Sequence, residues 1–545
     1  MSSDPSPYAP PPSPPALVDR LPPTLKPLVE PVFRMLWLAW LAANLTMWMN
    51  DVAAAWLMTQ LTDSVVMVAL VSAASTAPVF LLGLPSGALA DIVDRRRWFA
   101  STQLWVASVA LLLALLSLVG GLNASLLLAL TFLNGIGLAM RWPVFAAIVP
   151  DIVSRERLSG ALALQALAMN LSRVIGPVIA GALLAAAGSA AVFVVNALLS
   201  LAAFLQILRW KSQPRTSALP GERFVGAMRV GLQHVRQSPR LKVVLLRVFL
   251  FFLQSSAITA LMPLVARRLG GGAGAFTLLV SSMGIGAIAA ALTVPSLRER
   301  VPRDRIVGAG VVVVSLMSAL LAWAPALWIA ALAVLIAGVG WIATANTLTV
   351  SAQLTLPNWV RARGMSVYQM ALMGGAAAGA ALWGQVASWT DVPTALLAGA
   401  VAGPVCALAT RRLRLDAHAE DDLRMVPPVA VPEPVIAIEP DEGPVMVTVE
   451  YLIEPAQTEA FHAVMQETRR ARLRQGALSW GLFRDTAVPG RYIEYFVDES
   501  WVEHQRRLER FTAADVDLRA RRTAFHHGSE FPLVQRYVAE PLDSA

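Results

Sequence analysis

Long runs of apolar residues alternate with short polar breaks along most of the chain. Between residues 33 and 413 the apolar runs are roughly 20 to 28 residues long, enough to cross a hydrocarbon core of about 30 Å as a helix. Short breakers such as "GGLN", "AAGSA" and "WAPALW" separate them. The pattern predicts about twelve membrane-spanning helices, at residues 33–60, 65–90, 98–119, 124–149, 159–187, 190–210, 241–266, 273–297, 305–323, 326–349, 362–389 and 393–412.

The composition supports a membrane protein. Of the 545 residues, 56% are hydrophobic and only 15% are charged, whereas a soluble protein has about a quarter charged residues. The net charge of +8 does not indicate a nucleic-acid partner, because most basic residues lie in short segments between apolar runs, where they orient helices in the lipid bilayer. The single cysteine, Cys406, excludes an intrachain disulfide, and no metal site is expected.

Lysine and arginine are concentrated in alternate connections. The basic connections include Arg95 to Arg97, the long segment 211–240 and the pair Arg361 and Arg363, and the opposite connections carry almost none apart from Arg267 and Arg268. This asymmetry predicts that both termini and the long central segment are cytoplasmic. The predicted organisation is a disordered proline-rich cytoplasmic tail at 1–32, a six-helix bundle at 33–210, a basic cytoplasmic loop at 211–240, a second six-helix bundle at 241–413, a linker at 414–444 and a cytoplasmic α+β domain at 445–541.

The last hundred residues have a different pattern. Strand-like "VMVTVEYLI" precedes a helical segment, two strand-like segments around a "VPG" turn, a second helical segment and the strand-like "LVQRYVA". The order β-α-β-β-α-β is typical of a ferredoxin-like fold. The predicted fold is therefore an all-α integral membrane protein of two six-helix bundles, followed by a small α+β domain.

Three charged residues lie deep inside the predicted spans, where an unpaired ion is costly and usually faces a cavity or a partner. Asp51 lies beyond the midplane of the first span, Arg141 in the inner half of the fourth, and Arg173 halfway along the fifth. Asp51 with Arg173, or Asp51 with Arg141, is a candidate charge pair whose breaking could be coupled to proton uptake. The alternative is a static structural pair.

The stretch "GALADIVDRRR" between the second and third spans resembles the hinge motif of the major facilitator superfamily. Gly87, Asp91, Arg95 and Arg96 match this motif, whereas Ile92 and Asp94 replace its basic residue and glycine. The resemblance implies two related bundles around a central path, with the hinge as a gate latch at the cytoplasmic surface. The alternative is that the arginines only enforce topology.

The fifth span resembles the antiporter motif of the same superfamily through Gly176, Pro177 and Gly181. Two longer phrases, "RWPVFAAIVPDIVSRERLSGALALQALAMNLSRVIGPVIAG" and "RARGMSVYQMALMGGAAAGAALWG", resemble the enterobactin-exporter-like branch, also called transmembrane secretion effectors. That resemblance implies export of a small molecule (siderophore-like, drug-like or aromatic) across a bacterial inner membrane, with the proton gradient as the driving force and no cofactor.

Polar and aromatic residues within the spans are candidates for a substrate cavity, although each is equally suited to tying helices together. The candidates are Asn44, Trp48, Asn134, Asn170, Gln254, Trp341, Asn346 and Gln369.

The phrase "ESWVEHQRRLERFTAAD" resembles the antibiotic-biosynthesis-monooxygenase-like domain that is fused to some of these exporters. The resemblance implies a dimerising or regulatory domain. The alternative is a bifunctional transporter whose domain is a cofactor-independent or haem-linked monooxygenase acting on the cargo. No residue set matches a catalytic constellation, so no enzymatic activity is expected. Residues that could take part in catalysis by their type alone are His462, His504, His526, His527, Trp480 and Trp501.

Overall fold

The computed structural model describes residue 22 and residues 25–154, 157–210, 224–415, 422–427 and 434–540. Most of the predicted tail at 1–32 therefore lies outside the described residues. Twelve helices, α1 to α12, occupy the part of this range up to residue 409. Their bounds are α1 Pro31–Leu61, α2 Val65–Ile92, α3 Arg95–Leu118, α4 Ala124–Ile152, α5 Leu158–Arg209, α6 Phe224–Gln237, α7 Pro239–Arg268, α8 Ala273–Arg298, α9 Arg303–Ala322, α10 Leu327–Leu354, α11 Arg361–Trp389 and α12 Val392–Ala409.

Eleven helices of the described chain, all of these except α6, are long and apolar enough to cross a membrane. Helix α5 has 52 residues and contains a break at Gly188, whose φ of 75° lies in the left-handed region. Glycine adopts this conformation without the steric cost of a Cβ. Because each half of α5 is long enough to span the bilayer, the eleven helices provide the twelve predicted crossings.

Several helices begin at a side chain that accepts a hydrogen bond from the first turn. Asn123 accepts from the Leu126 amide at 2.9 Å before α4, and Asp391 accepts from the Thr394 amide at 2.7 Å before α12. Such caps satisfy amides that have no partner within the helix. The short polar breaks in the sequence therefore determine where neighbouring spans begin.

The two bundles meet mainly along two helix pairs, α2 with α11 and α5 with α8. Glycines allow close approach there. A Cβ at Gly87 would lie 2.7 Å from the Ser366 hydroxyl, and a Cβ at Gly284 would lie 3.5 Å from the carbonyl oxygen of Arg173. These contacts place the helices from the two halves around a central space.

The segment 211–240 is not entirely a loop. Helix α6 lies within it and packs against α2, α11 and the C-terminal domain. Helix α6 is amphipathic, and its buried residues include Val230 and Val235.

The C-terminal domain has the predicted ferredoxin-like fold. Its antiparallel sheet has the strand order β2-β3-β1-β4. The predicted second helix is two helices, because Thr512 and Asp515 form a capping box that starts a new one. The bounds are β1 Val445–Leu452, α13 Thr458–Arg474, β2 Ser479–Arg484, β3 Arg491–Asp498, α14 Trp501–Glu509, α15 Ala513–Thr523 and β4 Val534–Val538.

Candidate functional site

A cavity of about 300 Å³ lies between the two bundles. Helices from both halves line it, and most of its surface is apolar. Its lining includes the hydroxyl groups of Ser72, Ser75, Thr76, Ser255, Ser256 and Thr259 and the side chains of Met47, Met169, Met262, Met283 and Met373. Methionine side chains are flexible and polarisable, so they adapt to ligands of different shape.

Two of the predicted intramembrane charges, Asp51 and Arg173, line this cavity. Among the described residues, Asp51 makes no ion pair within 4 Å, so the two charges share the cavity without a direct contact. The Arg173 guanidinium lies 5.4 Å from the ring centre of Trp48 and 5.2 Å from that of Trp341. Since Trp48 belongs to the first bundle and Trp341 to the second, this cation–π cluster connects the bundles.

The third predicted charge, Arg141, lies elsewhere. It is buried in a separate small cavity of the first bundle and donates from Nη1 to the carbonyl oxygen of Ala43 at 2.8 Å. The structure therefore brings Asp51 together with Arg173 in one cavity, and does not bring either into the Arg141 cavity.

Of the eight cavity candidates, only Trp48 and Trp341 line the central cavity. Asn134 lines the Arg141 cavity, and Gln254 donates to Ser315 at 3.2 Å within the second bundle. The amides of Asn44 and Asn170 donate to carbonyl oxygens one turn earlier in their own helices. The remaining two, Asn346 and Gln369, are partly buried outside the central lining.

The hinge between α2 and α3 lies where both bundles are in contact. Gly87 abuts Ser366 of α11, and Arg96 donates to the Leu208 carbonyl oxygen at 2.5 Å, while Arg95 has interactions of its own. The side chain of Asp91 lies outside the part of the chain that the structure describes. Asp94, the residue that departs from the motif, accepts hydrogen bonds from the first-turn amides of α3 and caps that helix.

The antiporter-type motif forms two close helix contacts. A Cβ at Gly176 would lie 2.7 Å from the Cβ of Trp48, and a Cβ at Gly181 would overlap the side chain of Thr277 in α8. Pro177 is buried between these contacts within α5. The motif therefore holds α5 against its own bundle at one point and against the other bundle at the next.

The two arginines that break the charge asymmetry have local partners. Arg267 pairs with Asp63 at 2.8 Å, and Arg268 donates to the Ala322 carbonyl oxygen at 2.9 Å. Both arginines interact with groups at the ends of neighbouring helices. These contacts explain why two basic residues lie among connections that otherwise carry almost none.

Buried ion pairs occupy the interior of the C-terminal domain. Glu494 accepts from Arg472 at 2.9 Å and from Trp480 at 3.1 Å, and Asp498 accepts from Arg507 at 2.9 Å and contacts His504 at 2.8 Å. Burial raises the pKa of Glu494, but the neighbouring arginines outweigh this and lower it to about 2.

The other aromatic and histidine candidates of this domain also have structural contacts. His526 accepts from the Leu452 amide at 2.9 Å, His527 contacts the Leu452 carbonyl oxygen at 2.7 Å, and Trp501 packs against His504. His462 is exposed on α13. In the part of the chain that the structure describes, no three His, Cys, Asp or Glu side chains form a group able to hold a metal ion.

Docking of the C-terminal domain on the helical bundles was not predicted from the sequence. Arg229 of α6 forms an ion pair with Glu499, and Gln233 donates to the Ala477 carbonyl oxygen at 3.3 Å. The Arg510 guanidinium lies 5.0 Å from the ring of Trp359 in the α10–α11 connection. The amphipathic pattern of α6 was the one available indication, because it predicts a helix with a buried face.

Two curated relatives are known transport proteins. Staphyloferrin A transporter of Staphylococcus aureus (strain NCTC 8325 / PS 47) is 23% identical over 253 residues, which cover 46% of this chain and 63% of the relative. Macrolide efflux protein A of Streptococcus pyogenes is 23% identical over 237 residues, which cover 43% of this chain and 58% of the relative. Each match therefore spans less than two thirds of the relative's length.

Two solved transporter structures have the same fold as the helical part of this chain. A nucleoside transporter superposes with a TM-score of 0.56 at 14% identity, over 71% of this chain and 100% of its own. A bacterial homolog of the human lysosomal transporter Spinster, in an inward-facing and unoccupied conformation, superposes with a TM-score of 0.54 at 16% identity. The match covers 70% of this chain and 95% of the homolog. The helical part of this chain therefore has the major facilitator fold, as the hinge motif predicted.

The family model described as transmembrane secretion effector matches residues 23–542 and so includes both bundles and the C-terminal domain. The prediction of this branch from the sequence phrases is confirmed. This multi-pass membrane protein belongs to the transmembrane secretion effector family.

Proposed function

We propose that this protein exports a small amphipathic molecule, of the siderophore or macrolide type, from the central cavity by alternating access and proton antiport. The observation that carries the proposal is the cavity itself, which is lined by both bundles and holds Asp51 and Arg173 among apolar and methionine side chains. Such a lining fits a ligand with an apolar body and a few polar groups. The names of the two relatives support export of this class of cargo.

Alternating access requires contacts that form in one state and break in another. The stacking of Arg173 on Trp48 and Trp341 spans the two bundles, so rocking of the bundles would separate Arg173 from Trp341. Arg173 would then become free to interact with cargo or with Asp51.

Asp51 is the candidate proton carrier. Asp51 forms no ion pair with a described residue, and an unpaired carboxylate in an apolar cavity is costly, so cargo departure and proton binding would be linked at this site. Cargo would cross the membrane in one direction and protons in the opposite direction.

Filling the cavity tests the transport path. Ala376 lines it, so Ala376→Phe is expected to abolish efflux of a labelled siderophore or macrolide from cells. Leu292→Phe is the matched control, because Leu292 is 75% exposed on the outer surface of α8. Equal efflux by the two variants, at equal amounts in the membrane, would contradict the proposed path.

A further inference from the structure

The first bundle contains a second, smaller cavity. Thr46, Met47 and Asn50 line it from α1, Asn134, Leu138 and Arg141 from α4, Val106 and Ala110 from α3, and Asn196 from α5. It has room for about one particle of the size of water. Met47 and Leu138 also line the central cavity and form the wall between the two.

Arg141 places a positive charge in this cavity. Its side chain is 2% exposed, and its Nε and Nη2 atoms have no acceptor among the described residues. The ring of Trp40 lies 5.5 Å from Cζ and offers a cation–π contact. None of the residues that line the cavity is a carboxylate. A buried cation without a counter-charge is strongly unfavourable in a membrane.

Further unpaired N–H groups line the same cavity. Asn196 is 1% exposed, and neither its amide nitrogen nor its amide oxygen has a hydrogen-bond partner among the described residues. Asn50 is 3% exposed, and its Nδ2 also has no such partner. Three helix segments therefore supply buried donors around one positive charge. Converging donors with a net positive charge are the chemistry of an anion site.

We propose that this cavity binds a small monovalent anion such as chloride. The anion would neutralise Arg141 and accept hydrogen bonds from the amides of Asn50 and Asn196. A tetrahedral oxyanion such as sulfate is too large for a space of this size, whereas the flexible Met47 can adjust to a halide. The site is distinct from the cargo and proton sites proposed above, and it would fasten α1, α4 and α5 together within one bundle.

Thermal unfolding of the purified full-length protein in sodium chloride and in sodium gluconate, at equal pH and ionic strength, tests the proposal. Because a ligand that binds only the folded state stabilises it, we expect a saturable increase of Tm with chloride. Asn196→Leu is expected to abolish this increase. Asn170→Leu, in the same helix, is the matched control and should keep it, because Asn170 bonds to its own helix.

A second measurement does not depend on the folding of a variant. Crystals of the wild-type protein grown in bromide should show an anomalous peak beside the Arg141 guanidinium. The proposal is overturned by equal Tm in chloride and gluconate, by a chloride response that Asn196→Leu retains, or by bromide crystals with no peak in this cavity, in which case water solvates Arg141.

Discussion

Docking of the C-terminal domain is expected to weaken as the pH falls, because His234 of α6 is buried at the docking surface. Burial lowers the pKa of His234 from 6.5 to about 3, and the positive charge of Arg474 lowers it further, partly offset by the backbone carbonyl of Arg474, which favours the protonated ring. The surrounding pocket also contains Arg240 of α7, Arg510 and the single acid Asp515. Protonation of His234 would therefore add a positive charge beside three arginines.

The sign and size of the effect follow from linkage. A histidine whose pKa is lowered in the docked state stabilises docking fully above about pH 6.5 and loses that contribution as the pH falls toward 3. Each pH unit below 6.5 removes about 1.4 kcal/mol, so at pH 5.5 the docking equilibrium is expected to weaken by roughly tenfold.

Hydrogen exchange of the α6 amides at pH 7.5 and 5.5, corrected for the intrinsic exchange rate, measures this change. We expect the wild-type protein to lose protection at the lower pH. His234→Phe cannot be protonated and keeps an aromatic ring next to Trp359, so its protection should not change. His462→Phe, at an exposed position of α13, is the control that keeps the pH dependence. Wild-type protection that is equal at the two pH values would refute the reasoning.

Three further predictions have defined outcomes. Glu494→Gln leaves the buried Arg472 without its counter-charge and should lower the free energy of unfolding of the C-terminal domain by about 3–5 kcal/mol, whereas the exposed Glu467→Gln should have little effect in the same thermal melt. Because the folded-state pKa of Glu494 is lowered to about 2, domain stability should fall as the pH decreases from about 4.5 toward 2. Gly181→Ala forces α5 away from α8 and should slow efflux, whereas Gly274→Ala meets no atom within 4 Å and should not.

The sequence was sufficient to predict the spans and both folds. Apolar runs of 20 or more residues define membrane helices whatever their partners are, and the "AAGSA" breaker coincides with the break at Gly188. The alternation of strands and helices predicted the ferredoxin-like fold of the C-terminal domain, and the structure places β1 and β3 at the centre of its sheet.

The contacts that depend on distant residues were not predictable. Arg173 lies between Trp48 and Trp341, which are far from it in the chain. No local sequence pattern predicts these contacts. Helix α6 was assigned to a basic loop because it is short and its buried face packs on a domain that lies more than two hundred residues later. Asp94 was read as a departure from a motif glycine, although an aspartate before a basic helix start is also a helix cap.

Cargo-dependent proton movement in proteoliposomes tests the central claim most directly. Vesicles containing the purified protein would be acidified inside and exposed to a siderophore, a macrolide or a lipophilic cation. We expect proton release with at least one cargo and its loss in Asp51→Asn, whereas Asp63→Asn, an exposed loop carboxylate with a side chain 90% accessible, should behave as the wild type. Proton release that is unchanged in Asp51→Asn, or no cargo-dependent release from folded protein, would contradict proton antiport through Asp51.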